Sequence, residues 1–281
     1  LTVLSAISLR ALHDPAIQLS GVLAIGAAAI GLVLALRSRL PERVFGGLDK
    51  LYRSHRAFGI AALVFAVVHW LLIQAPDWLN AGREAGDRGP RRGADVTVGG
   101  LQHWLQSQHG LAMTLGNWGF YAIVVLILIA LMTRIPYRLF YLTHRLVPVV
   151  FLLLAFHALV LFPYAQWLGP VGVVLGLLLA GAALAAIVSL TGRVGVRRRA
   201  QGQVAQYKYY PELKVLQADV DVTSDWPGHK PGQFVFVHGG RWEGQHPFTI
   251  ASDWHPGKRR ITFVAKELGD FTASLKDRTR L

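Results

Sequence analysis

The sequence predicts a membrane α-helical bundle, with five complete spans here and six expected in the full protein, followed by a soluble antiparallel β-barrel. Three observations carry that prediction. Hydrophobic residues make up 53% of the 281 and charged residues only 16%, against roughly 25% charged in an ordinary soluble domain. Long runs without Asp, Glu, Lys or Arg recur through the first two thirds of the chain, each near the roughly 20 residues that cross a bilayer. After Arg197-Arg198-Arg199 the texture changes to short polar–apolar alternations broken by turns, the pattern of half-buried strands.

The spans follow in order. Ala16 to Leu36 is uncharged and stops at Arg37; Ala57 to Pro76 is uncharged until Asp77; Gly110 to Thr133 is uncharged until Arg134. Leu146 to Gly192 carries no charge at all and is too long for one span. Pro163, Gly169 and Pro170 divide it into Leu146–Phe162 and Trp167–Leu190. The opening Leu1 to Leu9 is apolar but too short to cross, and it lacks the basic start of a signal peptide. It reads as the tail of an earlier helix, which gives the sixth span.

Orientation comes from the cationic connections. Arg37 to Arg56 holds six Lys and Arg, Arg134 to Arg145 three and Arg193 to Arg199 four, while the alternate connections hold only Arg10, Arg83, Arg88, Arg91 and Arg92. The richer set is expected in the cytoplasm, so the C-terminal domain emerges there. Within the long outer loop Asp77–His109, Gly100–His109 reads as a short interfacial helix with Leu101, Trp104 and Leu105 on one side. The excess of 29 basic over 16 acidic residues implies a lipid-bilayer partner rather than nucleic acid. With no cysteine, disulfides, thiolate haem ligands, cysteine-held iron–sulfur clusters and catalytic thiols are excluded.

Four of the eleven histidines occupy or border two spans. His55 and His69 lie fourteen residues apart on one helix, His144 and His157 thirteen apart on another. At about 1.5 Å rise per residue each pair spans roughly 20 Å of membrane thickness. Fourteen residues return to nearly the same helix face; Pro148 gives the second helix a place to correct its phase. Both helices run in the same direction, so His55 is level with His144 and His69 with His157. Intramembrane ionisable residues are costly and tend to be functional. Zinc would need further carboxylate or thiolate ligands, whereas haem needs only two axial imidazoles. Small residues near them (Ala57, Gly59, Ala61, Ala62, Ala66, Ala158) leave room for a flat macrocycle.

These histidines, the His55-Arg56 and His144-Arg145 doublets and the run FGGLDKLYRSHRAFG resemble the ferric reductase and NADPH oxidase superfamily of transmembrane flavocytochromes b, its bacterial members in particular. The resemblance implies two b-type haems, an inner one on His55 and His144 and an outer one on His69 and His157. Arg56 and Arg145 would pair with haem propionates or snorkel to lipid headgroups.

The soluble domain carries three further signals: Pro231-Gly232-Gln233-Phe234, then His246-Pro247-Phe248-Thr249-Ile250-Ala251-Ser252, then Gly269-Asp270-Phe271-Thr272 opening a short helix to Leu275. Strand backbone and the Thr249 hydroxyl suit the polar edge of an isoalloxazine, with Pro247 and Phe248 around it. A glycine before a helix start suits a pyrophosphate. Together they resemble the FAD-binding barrel of ferredoxin-reductase-type domains. Lys266 joins His246, Pro247, Phe248, Thr249, Gly269, Asp270, Phe271 and Thr272 as candidate flavin-site residues.

The expected organisation is a ferric-reductase-like di-haem domain over 1–195 and an incomplete FAD domain over 204–281. The family's NAD(P)H-binding α/β domain is absent from the sequence, either because the chain is a fragment or because another polypeptide supplies it. The expected function is electron transfer from cytoplasmic NAD(P)H through FAD and two haems to a small acceptor outside, in the inner membrane of a bacterium. Ferric chelates are the first choice: Ile73 stands one turn after His69, where animal-type oxidases have a histidine, and no arginine closes the outer end of Ala16–Leu36. The alternatives are oxygen reduced to superoxide, an electron-relay subunit serving a periplasmic enzyme, and a histidine proton relay in a transporter.

Overall fold

The computed structural model describes residues 2–45, 47–80, 100–132, 134–196, 199–230, 232–238, 245–267 and 272. They divide into two compact units, one comprising 1–36 and 52–194, the other 37–51 and 195–281.

The first unit is helical. Among the described residues five stretches are long and apolar enough to cross a membrane: Leu12–Ala35, Leu48–Ala75, His109–Leu131, Tyr137–Leu161 and Pro170–Leu190. They lie on α1 (Thr2–Ala35), α3 (Leu48–Asn80), α5 (His109–Leu131), α6 and α7 (Tyr137–His144 and Val147–Leu161), and α8 (Pro170–Leu190); α4 (Gly100–Ser107) is short, and the short α2 (Arg39–Phe45) falls in the second unit. One expectation changes here. Thr2–Leu9 is no separate helix tail but the start of α1, which runs unbroken through Pro15. A proline removes a single helical hydrogen bond, and apolar spans tolerate it where neighbours re-satisfy the freed group.

The breaks expected near Pro163, Gly169 and Pro170 are present. After α7 comes a 3-10 turn, Tyr164–Gln166, and Gly169 caps α8 with Pro170 at its first position, where a missing N–H costs nothing. The far end of α8 is closed by Gly192 at φ +70°. Its N–H bonds the Ser189 carbonyl and that of Arg193 bonds Val188, the paired pattern a left-handed glycine permits.

The helices pack through small residues. Ala29, Ala182, Ala185 and Ala186 are fully buried with Ile25, Leu32, Phe151, Leu175 and Leu179 where α1, α7 and α8 meet. Small side chains let backbones approach where lipid offers no hydrophobic drive to association. Helix α3 differs: 6% of its most apolar stretch is buried, against 39% for α1. Trp70 stacks on Phe120 of α5 at 5.4 Å and 8° and meets Tyr121 at 6.4 Å, and imidazole-to-backbone bonds also tie α3 to its neighbours.

The second unit is a small antiparallel sheet domain. β1 (Gly202–Tyr210), β2 (Val215–Val222) and β5 (Arg260–Lys266) form one sheet in the order β1-β2-β5, and β3 (Phe234–His238) pairs with β4 (Gln245–Thr249) in another. A bridge between Ile250 and Phe263 joins the two; no closed barrel forms among the described residues. The core is Val222, Ile250 and Ile261, with Trp226, Val235, Trp254 and Phe263 against it.

Candidate functional site

The four span histidines come together in two pairs. The ring centres of His55 on α3 and His144 on α6 lie 6.0 Å apart, with planes at 82°. Two imidazoles binding one ion from opposite sides at about 2.0–2.1 Å put their centres roughly 6 Å apart, so the spacing suits a shared ion. His157 on α7 lies within electrostatic range of His69 on α3.

Three of the rings are oriented by helix backbone. His55 Nδ1 donates to the Gly31 carbonyl at 2.8 Å, His69 Nδ1 to Ile17 at 2.9 Å and His157 Nδ1 to Ala112 at 2.8 Å. A carbonyl only accepts, so Nδ1 carries the proton in each and the lone pair falls on Nε2, the arrangement that metal-bound histidines need. The acceptors on α1, Gly31 and Ile17, are fourteen residues apart, as are His55 and His69; antiparallel helices at constant register require it. Ser20, buried in the same place, donates its hydroxyl to the Ile17 carbonyl at 3.0 Å.

His144 is the exception. Its Nδ1 is buried without a hydrogen-bond partner among the described residues, and its ring stacks on Phe140 at 5.0 Å. The cause is local. Pro148 has no N–H for the His144 carbonyl, the helix ends at His144, and it resumes at Val147 after a tight turn through Arg145 and Leu146. The phase correction expected at Pro148 is this break.

The donor set fits haem on these grounds: one imidazole pair, His55 and His144, at one-ion spacing, and three rings with Nε2 left for a ligand. Among the described residues no group of three or more His, Asp or Glu gathers as a metal site. Arg56 and Arg145 are both exposed, one residue past His55 and His144; the Arg145 guanidinium lies 5.8 Å from the Tyr141 ring.

In the sheet unit the first two flavin signals are brought side by side. Phe234 pairs with Thr249 and Phe236 with Pro247, while the Gly232 N–H bonds the Ile250 carbonyl and the Ile250 N–H bonds that of Gln233. Gly232 sits at φ +82°, which glycine adopts without strain. Opposed residues share a face, so Phe234, Phe236, Pro247 and Thr249 form one surface, turned away from the core that holds Val235 and Ile250. Pro247 and Thr249 are exposed. His246 and Phe248 take the other face by strand alternation, and the Phe248 ring meets Phe263 at 6.2 Å. Half-buried Phe248 thus also contributes to the domain's interior, on the face opposite Pro247 and Thr249. Lys266 is exposed at the end of β5. Gly269, Asp270 and Phe271 lie outside the described residues, and of the short helix only Thr272 is described, half-buried.

Sequence reasoning missed several participants. The backbone acceptors Ile17, Gly31 and Ala112 have no side-chain signature, and Ser20 reads as an ordinary small polar residue. Arg37, read as a membrane-edge cation, sets its guanidinium 3.6 Å from the Phe236 ring centre, on the face that carries Thr249.

Residues 20–155 match the family described as "Ferric reductase like transmembrane component", a range that includes His55, His69 and His144 and ends two residues before His157. Residues 201–280 match "FAD-binding domain". No curated protein matches the chain. Apolar helices able to span a bilayer, followed by a flavin-binding sheet domain, make this an integral membrane, flavin-dependent oxidoreductase, and the two matches in this order have the domain architecture of the ferric reductase and NADPH oxidase family.

Proposed function

We propose that the chain carries electrons from cytoplasmic NAD(P)H across the membrane to ferric chelates on the outer side. The observation that supports this best is the pairing of histidines in two tiers, with His55 and His144 at one-ion spacing and three of the four Nδ1 protons committed to carbonyls. When bound, FAD would turn a two-electron hydride donor into single-electron steps, and two b-type haems would relay them through the apolar layer.

The chain's own residues do the rest. His55 and His144 hold the haem nearer the cytoplasm, His69 and His157 the outer one. The Gly31, Ile17 and Ala112 carbonyls hold each proton on Nδ1 and aim Nε2 at the ligand position. Arg56 and Arg145, just past the inner ligands, meet propionates at the cytoplasmic boundary. In the sheet unit Phe234, Phe236 and Pro247 give isoalloxazine an apolar seat, and Thr249 hydrogen-bonds its polar edge. Gly269, Asp270, Phe271 and Thr272 receive the pyrophosphate, and Lys266 supplies a positive charge near it.

Iron is favoured over oxygen because Ile73, half-buried one turn past His69, offers no polar group to steady a developing superoxide charge. The test compares anaerobic ferric-chelate reduction with aerobic, superoxide-dismutase-sensitive cytochrome c reduction, in membranes containing the complete electron-input chain. A faster ferric rate is expected; a dominant dismutase-sensitive rate would reverse the assignment.

A further inference from the structure

We infer that Gly116 and Gly21 are positioning residues for the outer ligands: each glycine is the seat on which an imidazole lies so that its Nδ1–H reaches helix backbone. The inference rests on the haem reading and adds two residues to it.

The geometry repeats on two separate helix pairs. On α5, a Cβ built at Gly116 would collide with the His157 ring, 2.9 Å from Cγ and closer still to Nδ1 and Cε1. On α1, a Cβ at Gly21 would stand 2.9 Å from His69 Cε1 and 3.1 Å from Nδ1. In each case the acceptor is the carbonyl four residues before the glycine: Ala112 for Gly116, Ile17 for Gly21. This offset has a cause. A helical side chain leans toward the N-terminus and covers the preceding turn, so the residue at i+4 shields the carbonyl at i. Glycine leaves that carbonyl most open to a ring from a neighbouring helix. The inner acceptor Gly31 has Ala35 four residues on, the next smallest side chain.

The two seats differ in tolerance. At Gly116 the clash reaches Cγ, the root of the ring, so rotation about the Cβ–Cγ bond alone gives no escape. His157 must swing away and lose its bond to Ala112. At Gly21 the clash is with Cε1 and Nδ1, and a modest ring rotation relieves it at the expense of the Ile17 bond.

Neighbouring glycines separate seating from packing. A Cβ at Gly119 would meet Leu154 Cδ2 at 2.8 Å, crowding the contact of α5 with α7 without touching an imidazole. A Cβ at Gly26 would meet nothing within 4 Å, which isolates the effect of alanine on α1 itself.

The experiment is low-temperature EPR of the oxidised full chain with pyridine haemochrome quantitation, for wild type and the Gly116→Ala, Gly21→Ala, Gly119→Ala and Gly26→Ala variants. Expected are two low-spin signals in wild type, loss of one in Gly116→Ala, and a shift of the same signal without loss in Gly21→Ala. Gly119→Ala and Gly26→Ala keep both unchanged. Two unaltered signals in Gly116→Ala and Gly21→Ala overturn the seating role while leaving the haem reading intact. Equal loss in Gly119→Ala assigns the effect to packing and overturns it as well. A wild-type protein without haem overturns both. Should Gly116→Ala fail to assemble, Gly21→Ala decides.

Discussion

The two units hold their candidate ligating groups in opposite ways. In the helical unit the histidines are partly buried between spans, and three rings are fixed by single hydrogen bonds to backbone that cannot move without moving a helix. In the sheet unit Pro247 and Thr249 stand exposed on an open strand face, backed by Phe234 and Phe236. A buried pair of ligands binds or fails as a pair. An open face loses affinity by degrees, because each contact is one of several and water replaces what is removed. The difference teaches that substitutions should act in all-or-none fashion in the first unit and in graded fashion in the second.

The largest effect is expected at the inner pair. His55→Ala or His144→Ala should abolish one haem, leaving one of two per chain, with FAD binding retained; pyridine haemochrome and flavin fluorescence on the same sample read both. A graded loss of haem with ligand concentration would break the contrast. Next comes Phe248→Ala. Its ring packs inside the sheet unit against Phe263, and large-to-small changes of this kind cost about 3–5 kcal/mol when fully buried, less for a half-buried ring. The flavin-release temperature should fall, while FAD affinity in the folded fraction changes little.

Thr249→Ala sharpens the comparison from the exposed side. Removing one hydrogen bond worth about 0.5–1.5 kcal/mol predicts FAD affinity weaker by roughly two- to thirteenfold, measured by fluorescence titration. Complete loss of flavin would make this face behave like the buried one. The smallest effect concerns Asp221, whose carboxylate takes a two-pronged hydrogen bond from Arg260 across β2 and β5 at 2.6 and 3.1 Å. That guanidinium holds the Asp221 carboxyl below the ordinary carboxylate value. A lowered value means the contribution is present at neutral pH and is lost as pH falls through it, so thermal stability of the sheet unit should decline slightly in acid below the usual carboxylate range. Asp221→Asn should flatten that slope. The pair is exposed and screened, so a steep dependence would point elsewhere.

What was legible in the sequence follows from where the information lies. Charge-free runs and Pro/Gly punctuation state span positions directly, and the fourteen-residue interval from His55 to His69 states a shared helix face. The thirteen-residue interval from His144 to His157 needed Pro148, and the structure breaks the helix there. Side-chain chemistry was readable; its orientation was not. Which of Pro247 and Phe248 faces outward depends on strand register, which the FT pairing with Phe234 and Val235 sets. The carbonyls of Ile17, Gly31 and Ala112 are common to every residue type, so the acceptors themselves carry no mark; for Ile17 and Ala112 the mark is the glycine four residues on. The opening Leu1–Leu9 reads as a separate helix tail, yet from Thr2 it runs on into α1 through Pro15, because one lost hydrogen bond is a weak constraint on a helix of thirty-four residues.

The central claim is that four histidines hold two haems in two tiers. The measurement that tests it most directly is the haem-to-protein ratio, by pyridine haemochrome against amino-acid analysis, in wild type and a His69→Ala/His157→Ala variant. The account predicts two haems per chain in the first and one in the second, with flavin unchanged in both. A variant that still carries two haems, or a wild type that carries none, would contradict it.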